Sequence, residues 1–114
     1  MAISVQTFIY PVRDLARAKA LFSALTGSTP THDSESYVQF DLGETRLGLD
    51  PNGHQRGFTG SVGYWEVEDI RARVAELIAA GAEEHEPVTD VGGGSLIASV
   101  KDPDGNVIGL SQPG

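Results

Sequence analysis

The sequence contains no cysteine among its 114 residues. This absence excludes disulfide bonds, thiolate metal ligands and a cysteine nucleophile. The sequence also lacks an apolar run approaching the ~20 residues that a membrane-spanning helix needs. Its first residues carry no basic segment followed by an apolar one, the pattern of a signal peptide. We therefore expect a cytoplasmic protein that does not bind membranes.

Basic residues are scarce: 8 Lys and Arg stand against 16 Asp and Glu, for a net charge of −8. A surface of this sign repels a phosphate backbone, so we expect no nucleic-acid partner. It attracts cationic small molecules, or it serves solubility alone. The length fits a single domain that can bury its own core.

Two amphipathic helices are predicted, at Asp14–Leu25 and Asp69–Ala80, because apolar residues recur there at spacings of three and four. Each begins at an aspartate suited to an N-cap and is followed by a glycine, Gly27 or Gly81. The faces predicted to be buried consist of Leu15, Ala18, Phe22 and Leu25 in the first helix, and of Ile70, Val74, Leu77 and Ile78 in the second.

Short segments of alternating apolar and polar residues surround both helices and predict strands. In the first half they are Ser4–Val12, Ser28–His32, Ser36–Leu42 and Thr45–Asp50. In the second half they are Ser61–Val67, Glu83–Asp90, Ser95–Lys101 and Asn106–Ser111. The order β-α-β-β-β thus occurs twice, with Pro51–Gly60 as the connection. The sequence therefore indicates an internal repeat of about half its length.

Three short motifs carry a family resemblance: "VRDL" at residues 12–15, "VEDI" at 67–70 and "DPDGN" at 102–106. With the doubled β-α-β-β-β order, they resemble the vicinal oxygen chelate superfamily of glyoxalase I, bleomycin-resistance proteins and extradiol dioxygenases. The resemblance implies an α+β fold, a single domain of two tandem βαβββ modules at about residues 1–55 and 56–114. It further implies that the curved mixed sheets of the modules form a cup, and that the protein is a homodimer.

Side chains alternate along a strand, so one set of residues is predicted to face the helices and the other the cup. Trp65, Phe8 and Tyr10 fall in the first set. Gly48 and Gly109 fall in the second set, where their lack of a side chain would leave free space at the base of the cup. A lining of mixed apolar and polar residues is typical of a ligand site. The predicted ligand-binding residues are Thr7, Ile9, Tyr37, Gln39, Asp41, Arg46, Gly48, Phe58, Val62, Tyr64, Glu66, Ser99, Val107 and Gly109.

The resemblance also locates the positions at which metal-dependent members hold their ion. These correspond to Thr7, Val62 and Gly109, with a further ligand around Arg46–Gly48 in some members. Val and Gly offer no donor side chain, and divalent metals in such sites prefer imidazole and carboxylate. The three histidines, His32, His54 and His85, are scattered along the sequence. We therefore predict no metal, no cofactor and no catalytic residue.

Two functional hypotheses follow, besides the option of a small dimeric interaction domain. In the first, the protein sequesters an aromatic or cationic, antibiotic-like small molecule. Tyr37 and Tyr64 would stack on it, Asp41 and Glu66 would pair with its charge, and Pro51–Gly60 would form a movable rim. In the second, it is a glyoxalase-like lyase or isomerase of the same superfamily, metal-free or with an unusual site, and Glu66 is the candidate general base of the metal-free case. The turn at residues 102–105 is predicted to be structural.

Overall fold

The computed structural model describes residues 4–114, which form two compact units. The first unit comprises Gln6–Val62, and the second comprises Gly63–Gly114 together with Ser4 and Val5. Between them they contain two helices and eight strands, in the order β1 (Ser4–Pro11), α1 (Leu15–Thr26), β2 (His32–Asp33), β3 (Val38–Leu42), β4 (Thr45–Asp50), β5 (Val62–Glu66), α2 (Ile70–Ala79), β6 (Glu83–Asp90), β7 (Leu96–Lys101) and β8 (Val107–Gln112).

The strands of the first unit lie in the order β2-β3-β4-β1. β1 runs parallel to β4, and the other neighbours are antiparallel. The predicted strand Ser28–His32 is wrong, since β2 is only His32–Asp33. Pro30 lies within the predicted range and has no N–H to donate to a neighbouring strand.

The second unit repeats this arrangement, with strands in the order β5-β8-β7-β6. β5 runs parallel to β8, while β7 is antiparallel to both β8 and β6. Because β-α-β-β-β describes both units, the predicted α+β fold of two βαβββ modules is confirmed. Within residues 4–114 no helix is long and apolar enough to cross a membrane.

Both helices begin at the aspartates that the sequence predicts. The Asp14 side chain accepts a hydrogen bond from the Arg17 N–H at 3.1 Å, and the Asp69 side chain accepts one from the Ala72 N–H at 3.2 Å. These carboxylates satisfy backbone donors that have no partner within the first helical turn. Gly27 ends α1 in the left-handed conformation with φ 69°, which costs a glycine little.

The core of each unit lies between its helix and its sheet. In the first unit Leu15, Ala18 and Phe22 of α1 pack on a buried cluster from β3 and β4, formed by Val38, Phe40, Leu47 and Leu49. In the second unit Val74 and Leu77 of α2 pack on a cluster formed by Val67, Ile70, Ala98 and Leu110.

Several residues predicted to be buried are exposed. Leu25 and Ile78 are 76% and 41% exposed, because each lies near the end of its helix at the margin of the face that contacts the sheet. Trp65 is 39% exposed, which corrects the prediction that it packs against the second helix. The strands that α2 contacts most are β7 and β6, whereas Trp65 lies on β5. Phe8 and Tyr10 on β1 are 39% and 36% exposed.

The segment Pro51–Gly60 is held in place by side-chain contacts. An Arg56 Nη1 donates to Asp50 Oδ2 at 2.9 Å, and its guanidinium lies 4.6 Å from the centre of the Phe58 ring. The Asn52 N–H donates to Asp50 Oδ1 at 2.8 Å, and Phe58 is only 1% exposed. A segment tethered in this way contrasts with the movable rim that the sequence suggested.

The turn before β8 is built around the carboxylate of Asp102. It accepts hydrogen bonds from the Asn106 amide at 2.9 Å, the Asn106 N–H at 2.8 Å and the Asp104 N–H at 2.9 Å. These bonds lower the pKa of Asp102 below its usual value, and the hydrogen bond from the Asn106 side chain contributes most. The carboxylate is thus engaged within the turn, where it orders the entry to β8.

This lowered pKa predicts how Asp102→Asn depends on pH. An acid whose pKa is lower in the folded chain stabilises the fold above its unfolded pKa, and the contribution disappears as pH falls through the folded pKa. We expect the variant to melt below the parent protein at pH 7, and the difference to shrink below about pH 3.8. Thermal unfolding followed by circular dichroism measures both. The control is Asp104→Asn, which removes the same charge from a neighbouring exposed carboxylate; an equal effect there would contradict a role specific to Asp102.

Candidate functional site

The strand register of the first unit brings its predicted ligand-binding residues together on one face of the sheet. β1, β4 and β3 contribute two transverse rows, because residues that are paired across strands lie side by side. The first row is Thr7, Arg46 and Asp41, and the second is Ile9, Gly48 and Gln39, with His32 of β2 opposite Gln39.

Three side chains form a hydrogen-bonded line, which we call the β3 ladder: Tyr37, immediately before β3, and Gln39 and Asp41 within it. The Tyr37 hydroxyl donates to Gln39 Oε1 at 3.1 Å. The Gln39 amide Nε2 in turn donates to Asp41 Oδ1 at 2.9 Å. The ring of His32 lies 5.9 Å from that of Tyr37, centre to centre. Each end of the Gln39 amide is therefore fixed, and with it the orientation of the Asp41 carboxylate.

Arg46 stands opposite Asp41 in the neighbouring strand and is exposed. Among residues 4–114 no hydrogen bond or ion pair engages its guanidinium. The face thus carries a carboxylate and a guanidinium on directly paired positions, each with hydrogen-bonding capacity left over. Such a pair can receive both a cationic and an anionic group of a ligand.

Two glycines on these faces are covered by tyrosine rings. A Cβ built on Gly48 would meet the Tyr37 hydroxyl, and would lie 2.6 Å from Ile9 Cδ1. A Cβ built on Gly109 would lie 2.7 Å from the ring of Tyr64. The prediction that Gly48 and Gly109 leave free space at the base of the cup is therefore wrong. Tyrosine rings from neighbouring positions fill the space that their missing side chains leave.

The face of the second unit is more buried than that of the first. Tyr64, Gly109, Ser99 and Glu86 form one row across β5, β8, β7 and β6. Tyr64 is 5% exposed and Ser99 is fully buried. The Ser99 hydroxyl donates to Glu86 Oε1 at 3.2 Å, which holds the carboxylate over the sheet. Glu66 follows in the next row, paired with Ser111.

Glu86 is a candidate that the sequence analysis missed. The pairing of β6 with β7 is irregular on both sides of Glu86, between Glu84 and Glu86 and again between Glu86 and Thr89. An irregularity of this kind breaks the alternation on which assignment of faces depends. No pattern in the sequence distinguishes Glu86 from the nearby acidic residues Glu83 and Glu84.

The other predicted residues have little surface to offer a ligand. Val62 is 3% exposed and Phe58 is 1% exposed, packed beneath the guanidinium of Arg56. Val107 is half-buried and paired with Lys101. A depression of about 470 Å³ in the first unit contains none of the predicted residues and lies beside α1. Its lining consists of Leu15, Ala16, Lys19, Asp33, Ser34, Glu35 and Val38.

The residues at the expected metal positions do not fit a divalent ion. The space beside Gly109 is taken by the Tyr64 ring, and Val62 is buried and apolar. Across the described part of the chain, no three His, Cys, Asp or Glu side chains come together in a group that could hold a metal. Hard and borderline cations need several such donors.

The family comparison agrees with this architecture. The model of the Glyoxalase/Bleomycin resistance protein/Dioxygenase superfamily matches residues 4–110. No curated protein matches the chain.

Solved structures with the same fold are distant in sequence. Methylmalonyl-CoA epimerase from Mycobacterium tuberculosis has a TM-score of 0.74 at 16% identity, over 96% of this chain and 87% of that one. A glyoxalase/bleomycin resistance protein/dioxygenase superfamily member from Vibrio splendidus 12B01 has a TM-score of 0.70 at 19% identity, over 97% and 99%. The hypothetical protein BH1468 from Bacillus halodurans C-125 has a TM-score of 0.76 at 13% identity, over 100% and 96%. At these identities the likeness concerns the fold alone.

The contact between Tyr64 and Gly109 predicts a coupled pair of substitutions. Gly109→Ala should destabilise the protein by about 1–3 kcal/mol, the usual cost of overpacking a site. In the background of Tyr64→Ala the same change should cost much less, because the ring that it meets is gone. Urea unfolding of the four proteins gives the coupling free energy. Gly60→Ala is the control, since nothing lies within 4 Å of a Cβ there; additive effects at residues 64 and 109 would refute the contact.

Proposed function

Because the chain belongs to the Glyoxalase/Bleomycin resistance protein/Dioxygenase superfamily, we propose that it binds a small molecule without the help of a metal ion. The ligand is an aromatic compound with a cationic group, held on the sheet face of the first unit. Binding itself is the function, as sequestration of the compound, and the protein acts in the cytoplasm as a homodimer. The β3 ladder is the observation that carries this proposal.

The ladder supports ligand binding because its groups are oriented before a ligand arrives. Gln39 engages only Oδ1 of Asp41, so Oδ2 remains to accept a hydrogen bond from a cation. A charge-assisted bond of this kind is about twice as strong as a neutral one. Preorganised groups also lose little conformational entropy on binding. Asp41 would therefore increase the affinity for the ligand and also fix its position on the sheet.

Tyr37 supplies the aromatic part of the proposed site. It is half-buried, with its hydroxyl over Gly48 and Ile9 beside it. A cation close to an aromatic face is stabilised by the quadrupole of the ring. Tyr64 has no such role in the proposal, because only 5% of it is exposed. Arg46 adds selectivity, since it favours cationic ligands that also carry an acidic group.

We expect aromatic cations to stabilise the metal-stripped protein against heat, because a ligand that binds only the folded state raises the melting temperature. Bleomycin and benzamidine are suitable probes, beside Ni²⁺, Zn²⁺ and Mn²⁺. Asp41→Asn should weaken binding by about tenfold or more, the effect of losing one charge-assisted hydrogen bond. Isothermal titration calorimetry measures this loss.

Asp104→Asn is the matched control, because it removes one negative charge from an exposed turn. If it weakens binding as much as Asp41→Asn does, the attraction comes from the overall charge and not from the ladder. Stabilisation by the metals alone would overturn the proposal.

A second candidate, a metal-free lyase or isomerase, is favoured by the pair of Glu86 and Ser99. A carboxylate held at 3.2 Å from a fully buried hydroxyl has a defined position from which to take a proton. The expected substrates are carbonyl compounds with a removable α-proton, such as methylmalonyl-CoA, the substrate in the name of one structural neighbour.

Deuterium exchange tests this second candidate. In D₂O the protein should then incorporate deuterium at the α-carbon of methylmalonyl-CoA, or of the adduct of methylglyoxal and glutathione, as mass spectrometry can follow. Glu86→Gln should reduce the rate by about 10²-fold or more, whereas Glu84→Gln, on the same strand, should not. Absence of exchange with both compounds would leave binding as the function.

A further inference from the structure

The depression of about 470 Å³ beside α1 has no part in the proposed function, and we call it the α1 depression. Leu15, Ala16 and Lys19 line it from the first turns of α1. Residues 33–35 and Val38 line it from the hairpin of β2 and β3. Ligand pockets in proteins usually have volumes of about 300–1,000 Å³, so the space suffices for a small molecule.

The α1 depression lies on the helix side of the sheet, opposite the β3 ladder. Val38, which lines it, belongs to the core cluster that packs against α1. Gln39 is the next residue of β3 and belongs to the ladder, so it faces the other way. A molecule in the α1 depression would therefore leave the ladder free for the proposed ligand.

The apolar part of the lining comes from Leu15, Ala16 and Val38. Leu15 is half-buried and Ala16 is exposed, and their side chains point about 100° apart round the helix. Val38 is only 1% exposed, so it lies at the base. An alkyl chain laid on these methyl groups would be removed from water, which favours binding.

The rim of the α1 depression carries more negative than positive charge. Lys19 Nζ donates to Asp33 Oδ2 at 3.0 Å, so these two charges compensate each other, and Asp33 Oδ1 remains as an acceptor. Glu35 is exposed, and within residues 4–114 no hydrogen bond or ion pair engages its carboxylate. One negative charge is therefore in excess beside two sets of free acceptor oxygens.

The same rim offers little to an anion. The Ser34 hydroxyl donates its hydrogen to the Tyr37 carbonyl at 3.1 Å. The partial positive charge at the start of α1 is offset by the Asp14 carboxylate, which accepts from the Arg17 N–H. The Arg17 side chain leaves α1 about 200° round the helix from Leu15, on the other side. An ammonium group therefore suits this rim better than a carboxylate or a phosphate does.

The turn that carries Asp33 and Glu35 is ordered by its own hydrogen bonds. The Ser34 N–H donates to the Tyr37 carbonyl at 3.0 Å, and the Ser36 N–H donates to Ser34 Oγ at 3.3 Å. Groups that are already held in position lose little conformational entropy when a ligand binds. The two carboxylates are therefore presented to the α1 depression from a preformed turn.

We propose that the α1 depression is a second binding site, for a primary alkylammonium compound. Its ammonium group donates to Glu35 and to Asp33 Oδ1, and its alkyl chain lies on Leu15 and Ala16. A charge-assisted hydrogen bond is about twice as strong as a neutral one, so the charge decides which compounds bind. The small contact area predicts weak binding of a simple amine, with a Kd in the millimolar range.

Hexylammonium chloride is the probe, because its unbranched chain has no ring to stack on Tyr37. Nuclear magnetic resonance of the isotope-labelled protein should show saturable shifts of the backbone N–H signals of Leu15, Ala16, Ser34 and Glu35. Hexanol and hexanoate have the same chain without the positive charge, and each should bind about tenfold more weakly or less. Equal binding of hexanol, or tighter binding of hexanoate, would overturn the proposal.

Glu35→Gln tests the contact with the charge. We expect it to weaken hexylammonium binding by about tenfold, because one charge-assisted hydrogen bond is lost. Glu44→Gln is the matched control, since it removes the same charge from an exposed residue of the first unit that does not line the α1 depression. Equal losses in the two variants would assign the attraction to overall charge and refute the site.

Ala16→Leu tests the space itself, because the larger side chain fills it. Leucine and alanine both favour helices, so the variant should fold, as circular dichroism can verify. Hexylammonium binding should be lost in Ala16→Leu and retained in Ala20→Leu, which makes the same change one turn further along α1, outside the lining. Unaltered binding in Ala16→Leu would refute the site.

Asp41→Asn separates the two proposed sites. It should leave hexylammonium binding unchanged, since Asp41 lies on the opposite face of the sheet, while it weakens the binding of benzamidine to the ladder. Shifts confined to Gln39 and Asp41 would refute the α1 depression and leave the ladder proposal in place. No shift up to about 50 mM hexylammonium, well above the expected Kd, would refute it as well.

Discussion

A tyrosine ring over a glycine is the contact on which the ligand-facing surface of each unit depends. At Gly48 the ring comes from Tyr37, and at Gly109 it comes from Tyr64. A glycine within a strand has no side chain to pack, and a neighbouring aromatic ring can restore the lost burial. In the first unit this contact places the Tyr37 hydroxyl where it can donate to Gln39, and the rest of the β3 ladder follows from it.

The same contact between a tyrosine ring and a glycine has different surroundings in the two repeated units. In the first, the row beside that of Gly48 carries the exposed carboxylate of Asp41 and the guanidinium of Arg46, which has no ion pair within residues 4–114. In the second, the row around Gly109 contains a buried tyrosine and a buried serine, and its single carboxylate, Glu86, is held by that serine. One face is therefore arranged to meet a charged ligand, and the other to keep one acidic group in a fixed position.

The sequence predicted the fold well, because the fold depends on local signals. Aspartates at helix starts, glycines after helix ends and a change from helical to alternating periodicity all act within a few residues. The errors arose where tertiary contact decides. Leu25 has the spacing of a core residue, but it lies at the margin of the sheet contact. Trp65 has the alternation of a core residue, but it lies on β5, while α2 packs chiefly against β7 and β6.

The candidate site was predicted only in part, because alternation along a strand is a local signal and side-chain packing between strands is not. Strand alternation sufficed for the rows that contain Thr7, Ile9, Gln39 and Asp41, since β1, β3 and β4 pair without interruption. It could not find Glu86, beyond an irregular stretch of β6, nor show that tyrosine rings occupy the space over Gly48 and Gly109. Side chains from neighbouring strands determine that space, and alternation within one strand carries no information about them.

The ring of Tyr64 also constrains how this protein can evolve. A carboxylate at residue 109 would have to enter space that the ring already occupies, 2.7 Å from where its Cβ would be. Replacing Tyr64 first would leave a void over a glycine, and replacing Gly109 first would create a clash. Either single step lowers stability before any new chemistry is gained. The pair therefore acts as an epistatic barrier against the appearance of a carboxylate at residue 109.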